Sequence, residues 1–184
     1  SPTGADHCHA LHDSGIVNAN DEGFMPDRLL RGMGVLDPIP LEDLGPAKVR
    51  ATLYHTLATV TANCLPLCLY VPWDLEDQVE LVRAATGWDV TAYELGKVGE
   101  RAWTLARVFN AREGFDSKDD HLAERSYGPT ANGVLADGGI DRQELQEALH
   151  TYYAMAGWDA ESGVPIAAAQ NAFDDPWAVE YLPG

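Results

Sequence analysis

Thr91-Ala92-Tyr93-Glu94-Leu95-Gly96-Lys97-Val98-Gly99-Glu100-Arg101-Ala102-Trp103-Thr104-Leu105-Ala106-Arg107-Val108-Phe109-Asn110 is the stretch that decides the fold. Thr91 followed three residues later by Glu94 is a capping box: the hydroxyl takes a first-turn N–H and the carboxylate returns to the cap's own N–H. Leu95, Val98, Ala102, Leu105 and Phe109 then step by three and four, one apolar face of a helix. The spacing predicts a helix over 92–110 that acts as the packing spine of the C-terminal half.

On its C-terminal side the pattern stops at Gly114. Arg112, Glu113, Asp119 and Asp120 form either a charge network or a solvated loop; exposed ion pairs contribute little to stability. Residues 126–140 hold Gly128, Gly133, Gly138 and Gly139, without phosphate-loop spacing or a following Lys-Ser/Thr pair. Asp141, with Glu144 three residues on, caps a helix over 142–156 whose stripe is Leu145, Leu149, Tyr152 and Met155. Gly157 ends it. A short helix is expected over 165–172, and the tail from Phe173 is aromatic enough to dock.

On the N-terminal side, Asp74 caps a helix over 75–86, with Glu76 and Asp77 where the helix dipole favours negative charge. Leu75, Val79 and Val82 face inward, and Gly87 is a left-handed stop. Gly87-Trp88-Asp89 matches Gly157-Trp158-Asp159. Both triplets read as the same device: a glycine stop, a Trp anchored on the helix just finished, and an Asp opening the next turn. Further upstream, Pro46 opens a helix over 46–62 with Val49, Leu53, Leu57 and Val60 on one stripe and His55 off it.

Between these helices lies Thr61-Ala62-Asn63-Cys64-Leu65-Pro66-Leu67-Cys68-Leu69-Tyr70-Val71-Pro72-Trp73. Pro66 interrupts the helix and Pro72 makes Val71 extended. The expectation is a bent, buried, non-helical segment with two thiols, whose unpaired backbone groups could meet a ligand. The plainer alternative is a packed loop with both cysteines as small core hydrophobes. Residues 1–45 are rich in Gly and Pro and read as a long irregular loop. Within it, His7, Cys8, His9 and His12 could bind a borderline metal, or be hydrogen-bonded histidines of a polar loop.

The chain has 184 residues and 46% hydrophobic residues, a composition that folds. Twelve Lys and Arg against 29 Asp and Glu give a formal charge of −17, which disfavours nucleic acid and anionic membrane as partners. No run is long enough to span a membrane. Three cysteines are too few for a disulfide framework, and no secretion-signal pattern precedes the helices, so a reducing, cytoplasmic setting is expected. No stretch alternates convincingly. The fold class is therefore all-α and multihelical: two small helical subdomains sharing a core, 1–88 and 89–184, with a long irregular N-terminal loop.

Several segments, in order along the chain, resemble the aldehyde ferredoxin oxidoreductase family, the tungsten–pterin enzymes. They are Ser1 to His7, Ala84 to Thr91, Gly99 to Trp103, Arg107 to Phe115 with Asp119-Asp120, Tyr152-Tyr153, Gly157-Trp158-Asp159 and Gly163-Val164-Pro165. The resemblance implies the C-terminal, all-helical part of such an enzyme, beside a tungsten (or molybdenum) bis-pterin and a 4Fe-4S cluster. The family's Asp-x-x-Gly-Leu-Cys pattern falls on Asn63 to Cys68. Cys68 then stands where a cluster cysteine is expected, and Asn63 and Leu67 at the pterin edge. His7 stands where an active-site histidine is expected. Asn63 replaces a carboxylate and Pro66 replaces a glycine. The pattern also departs at Leu122 to Arg125 and after Ile166.

The complete enzyme implied would oxidise a small aldehyde to a carboxylic acid and pass electrons to ferredoxin. It needs a missing N-terminal domain or partner subunit, because the other cluster cysteines are absent here. The chain alone is expected to hold neither cofactor and to be inactive. Homo-oligomerisation is compatible with this. The alternative is a non-catalytic helical binding or scaffold module derived from the family, which would expose the face that once met the missing domain.

Overall fold

A computed structural model describes residues 36, 39–40, 42–68, 71, 73–133, 136–168 and 176–182. The segment holding His7, Cys8, His9 and His12 lies outside them, as do most of the expected N-terminal loop and residues 169–172 of the helix expected over 165–172; within its described part Ala167 and Ala168 are helical, whereas Pro165 is in a bridge. Four α-helices form where the caps predict them: α1 (Pro46–Cys64), α2 (Leu75–Thr86), α3 (Ala92–Arg112) and α4 (Arg142–Met155). Short 3-10 turns lie at Glu124–Tyr127 and Pro176–Tyr181. Among the described residues no strand forms, and one antiparallel bridge joins Trp158 to Pro165. No described helix is long and apolar enough to cross a membrane.

The helix starts follow from their caps. Asp74 and Asp77 exchange bonds at the head of α2, Asp77 N–H to Asp74 Oδ1 at 2.8 Å and Asp74 N–H to Asp77 Oδ2 at 3.0 Å. Thr91 and Glu94 do the same for α3. Asp141 Oδ1 accepts from the Gln143 and Glu144 amides at the head of α4. The stops of α3 and α4 share one pattern. Phe115 N–H reaches back to Asn110 O at 3.0 Å and Gly114 N–H to Ala111 O at 3.0 Å; Trp158 N–H reaches Tyr153 O at 2.8 Å and Gly157 N–H Ala154 O at 3.2 Å. These paired bonds make Schellman stops, which require a left-handed residue between helix and exit; Gly114 and Gly157 supply it with φ of 94° and 72°.

The core gathers Leu53, Leu57 and Val60 of α1, Trp103 of α3, and Tyr153, Ala156 and Trp158 at the end of α4. The α1 stripe is the predicted one. The buried face of α3 is not. Leu95, Gly99, Trp103, Arg107, Val108 and Ala111 face inward, while Val98 and Phe109 are exposed. Hydropathy alone overlooks Gly99, where α1 and α3 cross: an added Cβ would stand 2.3 Å from Thr61 Oγ1 and 2.4 Å from Leu57 O. Thr61 is fully buried there, donating to Leu57 O at 2.8 Å and lying 3.2 Å from Leu95 O. On α4 the stripe is likewise shifted: Tyr153 is buried and Met155 exposed.

The chain between α3 and α4 is tied down locally. Ile140 N–H donates to Ser126 O at 2.9 Å, and Gly139 sits against the Tyr127–Gly128 backbone with no room for a Cβ. The described tail docks as expected. Ala178 is fully buried, and Tyr181 lies across the Arg112 guanidinium at the end of α3.

Candidate functional site

The end of α1 sets up the site. Leu65 N–H donates to Thr61 O and Ala62 O, and Leu67 N–H reaches back to Ala62 O at 2.9 Å. That last bond is the outer bond of a Schellman stop, so Pro66 occupies the position that Gly114 and Gly157 hold elsewhere. Its φ is 25°, far from the value near −65° that the pyrrolidine ring favours. Proline also has no N–H for the inner bond to the Asn63 carbonyl. The glycine expected here from the family pattern is therefore a helix-stop glycine in its backbone geometry. The helix itself runs to Cys64, two residues past the expected end.

This stop leaves Asn63 and Cys64 exposed on the last turn, Leu67 half-buried, and Cys68 exposed beyond the turn. Both Cys64 and Cys68 are free thiols. Neither is the small core hydrophobe of the plainer expectation. Asn63 lies before the turn and Leu67 and Cys68 just after it, whereas His7 lies outside the described residues. Among the described residues no group of three or more His, Cys, Asp or Glu side chains could hold a metal ion. A four-iron cluster takes four thiolate-type ligands; the described residues present two exposed thiols, Cys64 and Cys68.

The head of α2 adds two residues that sequence reasoning missed. Trp73 precedes the Asp74 cap and Gln78 is the fourth helical residue. Side chains at these two positions pack against each other in a hydrophobic staple. Here one staple member is polar. Gln78 is 1% exposed, and its Oε1, like the indole Nε1 of Trp73, is buried without a hydrogen-bond partner among the described residues. Buried polar atoms are nearly always satisfied, and leaving one open costs roughly 1–3 kcal/mol. The sequence signal was a glutamine at a staple position usually held by an apolar residue.

The charged cluster on the other side of α3 has a different character. Arg107 donates through Nε to Gly163 O at 2.8 Å and through both terminal nitrogens to Asp120, at 3.2 and 2.6 Å. Tyr153 donates to the same carboxylate at 2.6 Å, and the Arg107 guanidinium lies 5.6 Å from the Trp158 ring centre. Trp103 Nε1 donates to Tyr152 Oη at 2.8 Å. Burial is the main reason both Tyr152 and Tyr153 hold their protons above the ordinary tyrosine range, and the bond to Asp120 adds to it for Tyr153. Most of these residues belong to the segments that carried the family resemblance. Of the four charged residues considered on this loop, only Asp120 turns inward; Arg112 and Glu113 make an exposed pair and Asp119 accepts from the Asp116 amide. The charged and hydroxyl groups of the cluster bond one another and fasten α3 to α4, while the indole Nε1 of Trp158 is buried without a hydrogen-bond partner among the described residues.

The family model for aldehyde ferredoxin oxidoreductase, domains 2 and 3, matches residues 1–172. A tungsten-containing aldehyde ferredoxin oxidoreductase of Pyrococcus furiosus is 31% identical over 134 residues, 71% of this chain and 21% of that protein. The Thermococcus kodakarensis protein of the same description is 29% identical over 139 residues, 74% of this chain and 22% of its own. The chain thus spans about a fifth of the curated relatives it matches. Among solved structures, the BamBC active-site complex of benzoyl coenzyme A reductase shares the fold, with a TM-score of 0.65 at 17% identity over 88% of this chain and 25% of that one. With nearly its whole described length inside the family match, the chain belongs to the aldehyde ferredoxin oxidoreductase family.

Proposed function

We propose that this chain forms the helical part of a tungsten–pterin aldehyde:ferredoxin oxidoreductase and works with a missing N-terminal domain or partner subunit. The complete enzyme converts a small aldehyde and water to a carboxylic acid, two protons and two electrons, the electrons leaving through a 4Fe-4S cluster to ferredoxin. The metal–pterin, when bound, supplies the oxygen- and electron-transfer chemistry; the protein orients and tunes. In this reading Cys68 gives one thiolate to the cluster. Asn63 and Leu67 line the pterin edge, the Asn63 amide hydrogen-bonding where a carboxylate would otherwise accept. His7 moves a proton or hydrogen-bonds at the substrate oxygen.

The observation that carries this reading is the exposed, free Cys68, set just past the helix stop in register with the family's cluster cysteine. Its test is metal analysis and electron paramagnetic resonance of the complete enzyme purified with its partner. Cys68→Ser should remove the reduced-cluster signal and aldehyde oxidation, while the 184-residue chain alone should hold neither tungsten nor stoichiometric iron. A Cys68→Ser complex that keeps its cluster would overturn the assignment. One observation favours the non-catalytic module instead: Pro66 stands at the helix stop with φ of 25° and no N–H. If the native protein purifies without a partner and free of metal, that reading replaces the first.

A further inference from the structure

We infer that the outward face of α3 pairs two copies of this chain, helix against helix and antiparallel, about a two-fold axis near the level of Trp103. No cofactor enters the inference.

Leu95, Gly99, Trp103, Arg107 and Ala111 turn inward. The opposite side of α3 carries Glu94, Val98, Arg101, Leu105, Phe109 and Arg112, at steps of 4, 3, 4, 4 and 3. Steps of three and four keep side chains on one helical face. Five of these six are exposed and Leu105 is half-buried. Val98 and Phe109 are 44% and 55% exposed. A helix face that only meets water is polar, whereas apolar residues aligned over successive turns form the seam between paired helices. Trp177 and Tyr181 border the same face at its C-terminal end, their rings 6.2 Å apart with Tyr181 across the Arg112 guanidinium. Aromatic residues and arginine are the types that interfaces enrich.

The order of charges selects a second copy as the occupant. Turned end for end near Trp103, the face meets itself with Glu94 opposite Arg112, Val98 opposite Phe109, and Arg101 opposite Leu105. A two-fold axis makes each contact twice, so opposite charges close both ends and two Val–Phe contacts fill the space between. Both cap bonds of Glu94 use Oε2, and the Arg112–Glu113 pair is exposed, so the ends can be shared at little cost. The chain as a whole, at a formal −17, repels its copies. This face carries two arginines against one glutamate and is a place where they can approach.

Sedimentation equilibrium of the full 184-residue chain should give twice the chain mass of 20.0 kDa in the micromolar range. Phe109→Glu should weaken the dimer by about 30-fold or more, as for a central aromatic contact. The melting midpoint of the dilute, monomeric variant should stay at the wild-type value, because Phe109 is exposed in the single chain. Arg112→Glu should weaken the dimer by about 10-fold, since it sets like charges together at both ends. Cross-linking reads the register. With Cys8, Cys64 and Cys68 replaced by Ser, chains carrying Val98→Cys mixed with chains carrying Phe109→Cys should link under mild oxidation, and neither variant should link to itself. A wild-type chain that stays monomeric overturns the inference and leaves the face to the missing domain. A dimer unmoved by Phe109→Glu, or Val98→Cys chains that link to one another instead, overturns it as well.

Discussion

Gly87-Trp88-Asp89 and Gly157-Trp158-Asp159 are the same three letters after two helices, and the molecule uses them in opposite ways. Both glycines are left-handed, with φ of 74° and 72°, so the local part of the device is identical. The tryptophans are not: Trp88 is 70% exposed and Trp158 is 7% exposed. Trp158 packs against the rings of both Tyr152 and Tyr153, at 5.9 and 6.2 Å, with the Arg107 guanidinium over it. Beside Trp88 there is an exposed Arg83–Asp89 pair at 3.2 Å, with Arg83 also bonded to Val90 O. A glycine stop is written into three residues. The burial of the tryptophan that follows is written into whatever packs across from it, here the 150s, Arg107 and the Asp159–Pro165 turn.

The sharpest way to break this comparison is to truncate both tryptophans. Trp158→Ala should cost about 3–5 kcal/mol, the range for removing a large aromatic from a packed core. Trp88→Ala should stay within about 0.5 kcal/mol, as for a surface change. Urea unfolding of the two variants measures the difference directly. Equal losses would mean that Trp88 is covered in solution, and the contrast between the triplets would disappear.

The two arginine–aspartate pairs extend the test. Arg107–Asp120 at 2.6 Å has side chains 7% and 21% exposed and is shared with Tyr153 and Gly163. Asp120→Ala leaves Arg107 charged and underpartnered inside the protein and should cost about 3 kcal/mol, the low end for breaking a buried pair. Asp89→Ala breaks a pair in solvent and should cost about 0.5 kcal/mol or less. A double-mutant cycle between Arg107 and Asp120 should show strong coupling, and one between Arg83 and Asp89 almost none.

Alkali probes the same asymmetry without mutation. Tyr152 and Tyr153 have folded pKa values raised above the ordinary 10.0. A group with a raised folded pKa contributes stability that is complete below its unfolded value and is lost as pH rises through the folded one. Stability should therefore fall as pH climbs past 10, and Tyr153→Phe should flatten part of that fall. Acid acts on the caps instead. Glu94 and Asp159 have lowered pKa values, from bonds to Thr91 and to Ser162, so their contribution is present above the ordinary carboxylate range and lost as pH drops below it.

Much of this was legible from letters alone because helix ends are local. The Thr91–Glu94 box, Asp74, Asp141, Pro46 and the stop glycines placed α1 to α4 to within two residues. The inner faces were harder. On α3, counting apolar residues selected Val98 and Phe109, which are exposed, and passed over Gly99 and Arg107. Gly99 faces inward because another backbone comes too close for a Cβ, and Arg107 because Asp120, Gly163 and two rings await it. Neither reason is visible in hydropathy. The cysteine segment was read as a buried, non-helical bend; it does bend at Leu65 and Pro66, but Thr61 to Cys64 are still helical and Cys64 and Cys68 are exposed, because the turn carries them away from the α1–α3 contact. Trp73 and Gln78 were missed since an orphaned polar atom is a property of the packed state, not of a residue type.

A modest effect is expected at Pro66, where a helix stop can be told from a cofactor contact. Among the described residues three stops close with the same outer bond, from Leu67 to Ala62, Phe115 to Asn110 and Trp158 to Tyr153. Two have glycine between; α1 has Pro66, with φ of 25°. Pro66→Gly should relieve the ring and restore an N–H that can donate to the Asn63 carbonyl. Against this, glycine frees the unfolded chain. The balance should favour the variant by about 1 kcal/mol, because a proline held away from its own φ destabilises by more than the entropy it saves. Chemical denaturation gives the sign, and hydrogen exchange at Leu65 and Leu67 shows whether the gain lies at the stop. If the variant is less stable, the turn after Cys64 does not hold a left-handed residue, and α1 then ends differently from α3 and α4.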